Sequence, residues 1–408
     1  MIPAKGKVGR RIRKLTGNNF LAGRDVGIVA YAETPIRRRS GGTPYELAAA
    51  AFEEILAKSG LTPADIDGLA TNVPHSESSN QYYTPYLCDY LGVTPRWMEI
   101  SDHGGGSALA GVSRAVLAIQ AGLCEIAVVL CADAPTTAWK AANGGYRPEF
   151  WDPTGIQGPP GGFGLLMNRY MAQYDLKLEG LGRLAVAQRE GAVLNDLAYE
   201  KLRTPITVQD YLDSRMISSP VRLLDCVMFA DGAAAVLLTG AERARRMKAE
   251  NIVYPTAYSE IVNHNGADQT PDITETGFAV VGPEILEKAG RTTADIRMFH
   301  PYDDFLIAEA MQLEQIGWCG RGEGSHFLME TDVSYRGTLP INTGGGQISA
   351  GQIGLASGMT NLVEAVRQMR GEAGARQVRD PANALVTGIG VIAYGRSWKV
   401  SNAMMLEQ

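Results

Sequence analysis

Ser101-Asp-His-Gly-Gly-Gly-Ser-Ala-Leu-Ala-Gly-Val-Ser-Arg-Ala-Val-Leu-Ala-Ile-Gln-Ala-Gly122 is a run of glycines leading straight into a stretch of small and apolar residues. Ala108, Gly111, Ala115 and Ile119 recur at helical spacing, with Ala110, Val112 and Leu117 beside them. A surface that is apolar nearly all round predicts a buried helix. Glycines at 104–106 let another backbone or a ligand come close, and they leave the first N–H groups of the helix pointing at it. Alone, such a turn is also read as a tight loop before a core helix. A second stretch of the same kind shifts the balance: Ile341-Asn-Thr-Gly-Gly-Gly-Gln-Ile-Ser-Ala-Gly-Gln-Ile-Gly-Leu-Ala-Ser-Gly358.

Working outward from the two turns, the second half of the chain repeats the first. Thr292-Thr-Ala-Asp-Ile echoes Thr62-Pro-Ala-Asp-Ile, and residues 384–390 echo residues 126–132. Short apolar runs at 26–32, 97–100, 126–131 and 231–238 read as strands, as do 252–262, 384–390 and 398–406. Helical patterns lie between them, as at 44–56, where Thr43, Pro44 and Glu46 form a capping-box start. Apolar strands alternating with helices predict parallel sheets covered on both faces. Two similar halves predict a pseudo-twofold that brings the glycine turns together, with a binding site between the halves.

Residues 133–218 break the rhythm. Pro148, Pro153, Pro159 and Pro160 mark an irregular insertion, followed by helical pieces near 165–174 and 181–195. A long insertion above a compact sheet is expected to form a substrate wall or lid. The organisation is therefore a basic tail over 1–24, a first half over 25–132 with 219–245, an insertion over 133–218, and a second half over 246–408.

The 408 residues are 45% hydrophobic and 20% charged, with a net charge of -6. That balance excludes nucleic acid as the main partner. No run of apolar residues is long enough to span a membrane. The first fourteen residues carry Lys5, Lys7, Arg10, Arg11, Arg13 and Lys14 without an acid, and no apolar signal core follows. Cys88, Cys124, Cys131, Cys226 and Cys319 are scattered and lack metal-type spacing, which fits a reducing cytoplasm without disulfides or a zinc site.

The chain resembles the thiolase superfamily, in the branch of the sterol-carrier-protein thiolases and the thiolase-like aldolases of steroid side-chain degradation. The resemblance rests on the Gly-Ser-Ala helix with Ile119 and Gly122, and on Ser214-Arg-Met-Ile-Ser-Ser-Pro-Val-Arg-Leu-Leu-Asp-Cys226 leading to Ala230-Asp-Gly-Ala. It rests also on Tyr302-Asp-Asp-Phe305, Leu339-Pro-Ile-Asn-Thr-Gly-Gly345, residues 351–358, residues 371–377 and Gly388-Ile-Gly390. It implies two pseudo-repeated βαβαβαββ halves in a five-layer αβαβα arrangement with a loop insertion.

Carried over residue by residue, the resemblance also marks what is missing. The thiolase nucleophilic cysteine falls on Gly105, the first histidine on Tyr302, the second histidine on Gln352 and the second cysteine on Val386. Covalent acyl transfer needs an activated thiolate, so thiolase activity is not expected. The backbone N–H groups of Gly105 and Gly388 remain as the implied oxyanion donors, each worth roughly 3–4 kcal/mol to an enolate-forming reaction. An oxyanion hole without a nucleophile suits a retro-aldol cleavage of a 3-hydroxyacyl-CoA.

Tyr302 is the candidate for proton transfer, since a phenol acts as acid or base, and the related aldolases carry a tyrosine there. The other reading of Tyr302 is a buried ring filling a lost histidine's space. Those aldolases tend to carry a second tyrosine where this chain has Gln352, which can hydrogen-bond but not exchange protons. His103 orients substrate or acts as a base, or else caps its turn. Asp303 and Asp304 are read as paired carboxylates or as a helix cap, and Asp303, Asn342 and Gly345 as substrate contacts, with Asn342 and Ser107 also read as structural residues of their turns.

Arg169, Tyr170, Arg183 and Arg189 of the insertion are candidates for coenzyme A, which enters as part of the substrate; no cofactor or metal is expected. The resemblance implies a homodimer and a small partner with a zinc ribbon and an OB-fold. The alternative function is a non-catalytic thiolase-fold protein that binds acyl-CoA or lipid, or a scaffold subunit.

Overall fold

The computed structural model describes residues 19–138, 152–156, 158–265, 272–392 and 398–408. Most of the basic tail, and Pro148 of the insertion, lie outside the described residues. The strands are β1 (Val26–Glu33), β2 (Gly68–Asn72), β3 (Trp97–Ser101), β4 (Ile126–Asp133), β5 (Met216–Ser218), β6 (Val221–Arg222) and β7 (Gly232–Gly240) in the first half and insertion. The second half contributes β8 (Tyr254–Val262), β9 (Phe299–His300), β10 (Asn383–Ile392) and β11 (Trp398–Glu407).

The first sheet runs β1-β7-β4-β2-β3 and the second β8-β11-β10-β9. The same order is built twice, as the internal repeat predicts. Both sheets are mixed rather than all-parallel. In the first, β2 is parallel to β3 and β4, while β7 runs antiparallel to β4 and β1. In the second, β9 and β10 are parallel, and β11 runs antiparallel to β10 and β8. In the second half β11 follows β10 after five residues, too few for a crossover helix that would return the chain to the same direction, whereas in the first the whole insertion stands between β4 and β7. The counterpart of β3 in the second half is reduced to a single parallel bridge, Phe299 to Ile341.

The Ser107–Gln120 helix and its repeat, Gly358–Met369, pack against each other between the sheets. All residues of the second are buried. One apolar cluster joins Leu109, Val112 and Val116 to Leu362 and Val366, with Val129 and Val236 from one sheet and Val386 and Met404 from the other. The Pro44–Ser59 helix covers the outer face of the first sheet, and Phe278–Ala289 that of the second, completing five layers. The capping box forms as expected: the Glu46 N–H donates to Thr43 Oγ1 at 3.2 Å, and Glu46 Oε2 accepts from the Thr43 N–H at 2.7 Å.

The insertion supplies the helices Gly158–Gln173 and Leu178–Val193. Their apolar faces (Phe163, Leu166, Tyr170, Leu181 and Leu184) join the core of the second half, with Phe278, Phe305, Leu306 and Leu313. The insertion thus leaves the first half but rests on the second, above the ends of the central helices.

Candidate active site

The glycines at 104–106 are required by what surrounds them. A Cβ on Gly105 would lie 2.1 Å from Cζ of Tyr302. A Cβ on Gly358 would lie 2.2 Å from the carbonyl oxygen of Gly105, and one on Gly388 would lie 2.6 Å from Cα of Gly106. The first turn is therefore clamped by the start of the second central helix and by β10. This is the approach of the two halves that the repeat predicts.

A cavity of about 280 Å³ opens at this meeting point. Gly105, Tyr302, Asp304, Gln352, His75 and Cys226 line it, and Ile389 stands beside Gly388 on its wall. Tyr302 follows β9 and precedes the buried helix Leu306–Ile316. Its N–H donates to Thr387 Oγ1 at 2.9 Å, and its carbonyl accepts from Gln312 Nε2 at 2.9 Å, so both ends of the residue are fixed. Its ring is 4% exposed and occupies the space into which a side chain at 105 would project. Gln352 Nε2 reaches Tyr302 Oη at 3.5 Å and donates to Gln347 Oε1 at 3.1 Å. Burial pushes the phenol well above its ordinary range, and the charges of Asp304 and Asp303 add to the shift.

These features belong to a recognisable group of proteins. The profile of the thiolase C-terminal domain-like family matches residues 259–400. A 17-hydroxy-3-oxo-4-pregnene-20-carboxyl-CoA lyase of Mycobacterium tuberculosis is 31% identical, over 90% of this chain and 97% of that protein. A steroid side-chain-cleaving aldolase of Thermomonospora curvata is 30% identical, over 90% of this chain and 96% of that one. The chain belongs to the thiolase superfamily, in the branch of the steroid side-chain-cleaving aldolases. The solved structure of the Ltp2-ChsH2(DUF35) aldolase superposes with a TM-score of 0.79 at 28% identity, covering 94% of this chain and 98% of that chain.

Within this thiolase-superfamily site, Gly105, Tyr302 and Gln352 line one cavity. His103 does not join them. Its Nε2 lies 3.7 Å from Glu260 Oε2 and 3.5 Å from Arg114 Nη2, and the ring is not part of the cavity wall. Burial keeps its pKa below the usual histidine value. Its backbone closes the turn instead: its N–H donates to Ser107 Oγ at 3.0 Å, and its carbonyl accepts from the Gly106 N–H at 3.0 Å.

The three expected substrate contacts do not line this cavity either. Asp303 is buried, and its Oδ2 accepts from the N–H groups of Gln347 and Ile348 at 2.8 and 3.1 Å. It caps the short helix Gly346–Ala350 of the second glycine stretch rather than the helix that follows it in sequence. Its Oδ1 accepts from Asn361 Nδ2 at 3.1 Å. Asn342 has a positive φ of 46° and donates to the Pro301 carbonyl at 3.1 Å and to Glu309 Oε2 at 3.2 Å. It borders a separate chamber of about 10 Å³, too small for an acyl chain. Gly345 has a φ of 104°, and a Cβ there would lie 2.6 Å from Cβ of Ala192 on the insertion. All three hold the second turn in shape.

Asp304, left open in the sequence between a paired carboxylate and a helix cap, also lines this aldolase-branch site, as do His75 and Cys226, to which the sequence assigned no role there. Asp304 turns into the cavity, and its Oδ1 is buried without a hydrogen-bond partner among the described residues. Burial first, and Asp303 second, push its pKa up to about 8. His75 follows β2; its N–H donates to Asp133 Oδ2 at 2.8 Å, and its ring Nδ1 lies 3.6 Å from the same oxygen. Parallel pairing of β2 with β4 brings these distant residues together, and no local motif marks them. The Cys226 thiol donates to the Arg222 carbonyl at 3.3 Å, and burial pushes it up to about 12, so it stays protonated and is no nucleophile. Cys131 is buried in the core and raised likewise to about 12.

The insertion lines the cavity through Pro159, Pro160 and Phe163; Phe163 stacks on Phe305 with ring centroids 3.8 Å apart. Three of its four coenzyme A candidates are engaged within the protein. Tyr170 hydrogen-bonds Glu314, Arg183 donates to the Met329 carbonyl, and Arg189 donates to Ser349 Oγ and the Thr204 carbonyl. Arg169 is exposed. Among the described residues, no group of three His, Cys, Asp or Glu is arranged to hold a metal ion, and no helix is long and apolar enough to cross a membrane.

Proposed function

We propose that this chain, a thiolase-like aldolase, cleaves a 3-hydroxyacyl-CoA, with a steroid side-chain CoA thioester as the substrate class, through an enolate and without an acyl-enzyme. The observation that carries this reading is the Tyr302 ring over Gly105, where a nucleophilic side chain would project. The substrate hydroxyl faces Tyr302 and loses its proton. The bond between the hydroxyl-bearing carbon and the thioester α-carbon breaks, leaving a carbonyl product. The electron pair passes to the thioester as an enolate, which is then protonated at the α-carbon. The N–H groups of Gly105 and Gly388 are the proposed donors to the enolate oxygen, at roughly 3–4 kcal/mol each. Gln352 orients the Tyr302 hydroxyl. Coenzyme A enters with the substrate, and no other cofactor is needed.

The test is release of acetyl- or propionyl-CoA from a panel of 3-hydroxyacyl-CoA thioesters. Tyr302→Phe lowers kcat by about 10²–10⁴-fold with little change in KM. An unchanged rate excludes the tyrosine. Binding without turnover by the native chain favours the non-catalytic acyl-CoA-binding alternative.

The assay includes a small zinc-ribbon and OB-fold partner, because the similar solved aldolase is named for two components, Ltp2 and ChsH2(DUF35). A homodimer is supported by the free edge of β3, where Met98 and Ile100 are exposed, beside exposed Tyr82, Tyr86 and Tyr90. Sedimentation of Ile100→Lys as a smaller species would support that surface. The five free thiols fit a cytoplasmic setting.

A further inference from the structure

The retro-aldol moves one proton from a hydroxyl oxygen to a carbon, and some group must hold it in between. Tyr302 touches the reacting centre, but a phenol this deeply buried resists ionisation and does not hold the cycle's charge on its own. Gln352 exchanges no proton. Of the other cavity groups, His75 is tied to Asp133, and the Cys226 thiol is committed to the Arg222 carbonyl. One group remains: Asp304, two residues after Tyr302 on the same wall, with its buried Oδ1 uncommitted and its backbone carbonyl anchored by the Val227 N–H at 3.3 Å.

We infer that Asp304 is the proton-transfer residue of the site, taking the substrate hydroxyl proton at its free Oδ1 and returning it to the α-carbon of the acyl-CoA enolate. The inference rests on the aldolase reading. The step balances within the site. The carboxylate accepts one proton as the carbon–carbon bond breaks. The same proton passes back from the carboxyl group to carbon, which regenerates the carboxylate and needs no co-reactant.

The surroundings suit this duty. The groups that face Asp304 or feel its charge are Asp303, Tyr302, Glu309, Cys226 and His75, and no arginine or lysine is among them. Burial and the neighbouring acid make the carboxylate a stronger base than an ordinary aspartate, and its titration falls near neutral pH, where proton transfer is most efficient.

The experiment compares the native complex with Asp304→Asn and Asp304→Glu in two assays: cleavage of a 3-hydroxyacyl-CoA, and exchange of the α-hydrogens of the acyl-CoA product in D2O. The native enzyme gains kcat as pH rises through about 8. Asp304→Asn lowers kcat and α-exchange by about 10²-fold or more, holds KM within about 3-fold, and loses that pH limb. Asp304→Glu restores part of both rates. An Asp304→Asn enzyme that keeps both rates and the pH limb overturns the inference and leaves the aldolase reading intact. Native α-exchange that depends on Asp304, without cleavage, upholds the residue's role and overturns the aldolase reading. Absence of both activities in the native complex overturns both.

Discussion

Two groups of buried carboxylates in the second half are treated in opposite ways. Glu364, on the second central helix, accepts from Arg367 Nη1 at 2.6 Å and from Arg376 Nε and Nη2 at 3.0 and 2.9 Å. Burial alone would raise its pKa, but Arg376 and Arg367 outweigh that and hold it at about 2. Arg367 also donates to Glu33 Oε2 at 2.8 Å, which ties the central helix to β1. Asp303, Asp304 and Glu309 lie on the next layer without any cation. Their pKa values rise through burial and mutual repulsion, and their partners are N–H groups and amides. The first group is a permanent charge network that fixes helix to sheet. The second is a set of acids kept close to their protonated form, and one of them opens onto the cavity. Proximity to arginine separates structural acids from chemical ones here better than burial does.

The contrast can be broken most severely at Glu364. Glu364→Gln strands Arg376 without a counter-charge in the interior, and a loss of about 3–5 kcal/mol in urea-unfolding stability is expected at pH 7. A loss under about 1 kcal/mol would show that solvent already reaches the network.

Asp304→Asn should move stability the other way. The folded pKa of Asp304 lies above its unfolded value near 4, so its contribution is complete below about pH 4 and is lost as pH rises through about 8. Removing the group should stabilise the protein at pH 8 by about 1–3 kcal/mol and flatten the fall of stability between pH 6 and 8, while activity falls. A variant less stable than the native chain at pH 8 would contradict this. Glu364 carries the opposite sign: its depressed pKa gives stability above about pH 4 that is lost as pH falls toward 2.

The smallest effect is expected at Glu33. Its carboxyl is raised by burial, although Arg367 opposes the shift, and Gln can still accept from the guanidinium. Glu33→Gln should cost about 1 kcal/mol, read from the same urea curves.

Much of the fold was legible because it is written twice. The glycine turns, the Thr-Ala-Asp-Ile echo and the two central helices give the doubled order of strands, and they bring Gly105, Tyr302 and Gln352 to one cavity. The antiparallel strands β7 and β11 were not legible as such, since an apolar run carries no direction. Roles that depend on which way a side chain turns were also hidden. Asp303 and Asp304 are neighbours in sequence, yet one caps a helix more than forty residues away and the other faces the cavity. His103 stands two residues from Gly105, but Arg114 and Glu260, the latter from the other half, lie against its ring on the far side of the turn. His75 depends on Asp133, a partner that only sheet pairing supplies.

The Tyr302 ring above Gly105 also constrains which substitutions the chain can accept. A cysteine regained at 105 would drive its Cβ into the phenol, 2.1 Å from Cζ. A histidine regained at 302 without that cysteine would have no thiol to activate. Neither single step from this sequence reaches a working acyltransferase. The two positions are coupled, and a nucleophilic side chain at 105 is opposed in this chain by sterics as well as by the absence of a sulfur atom.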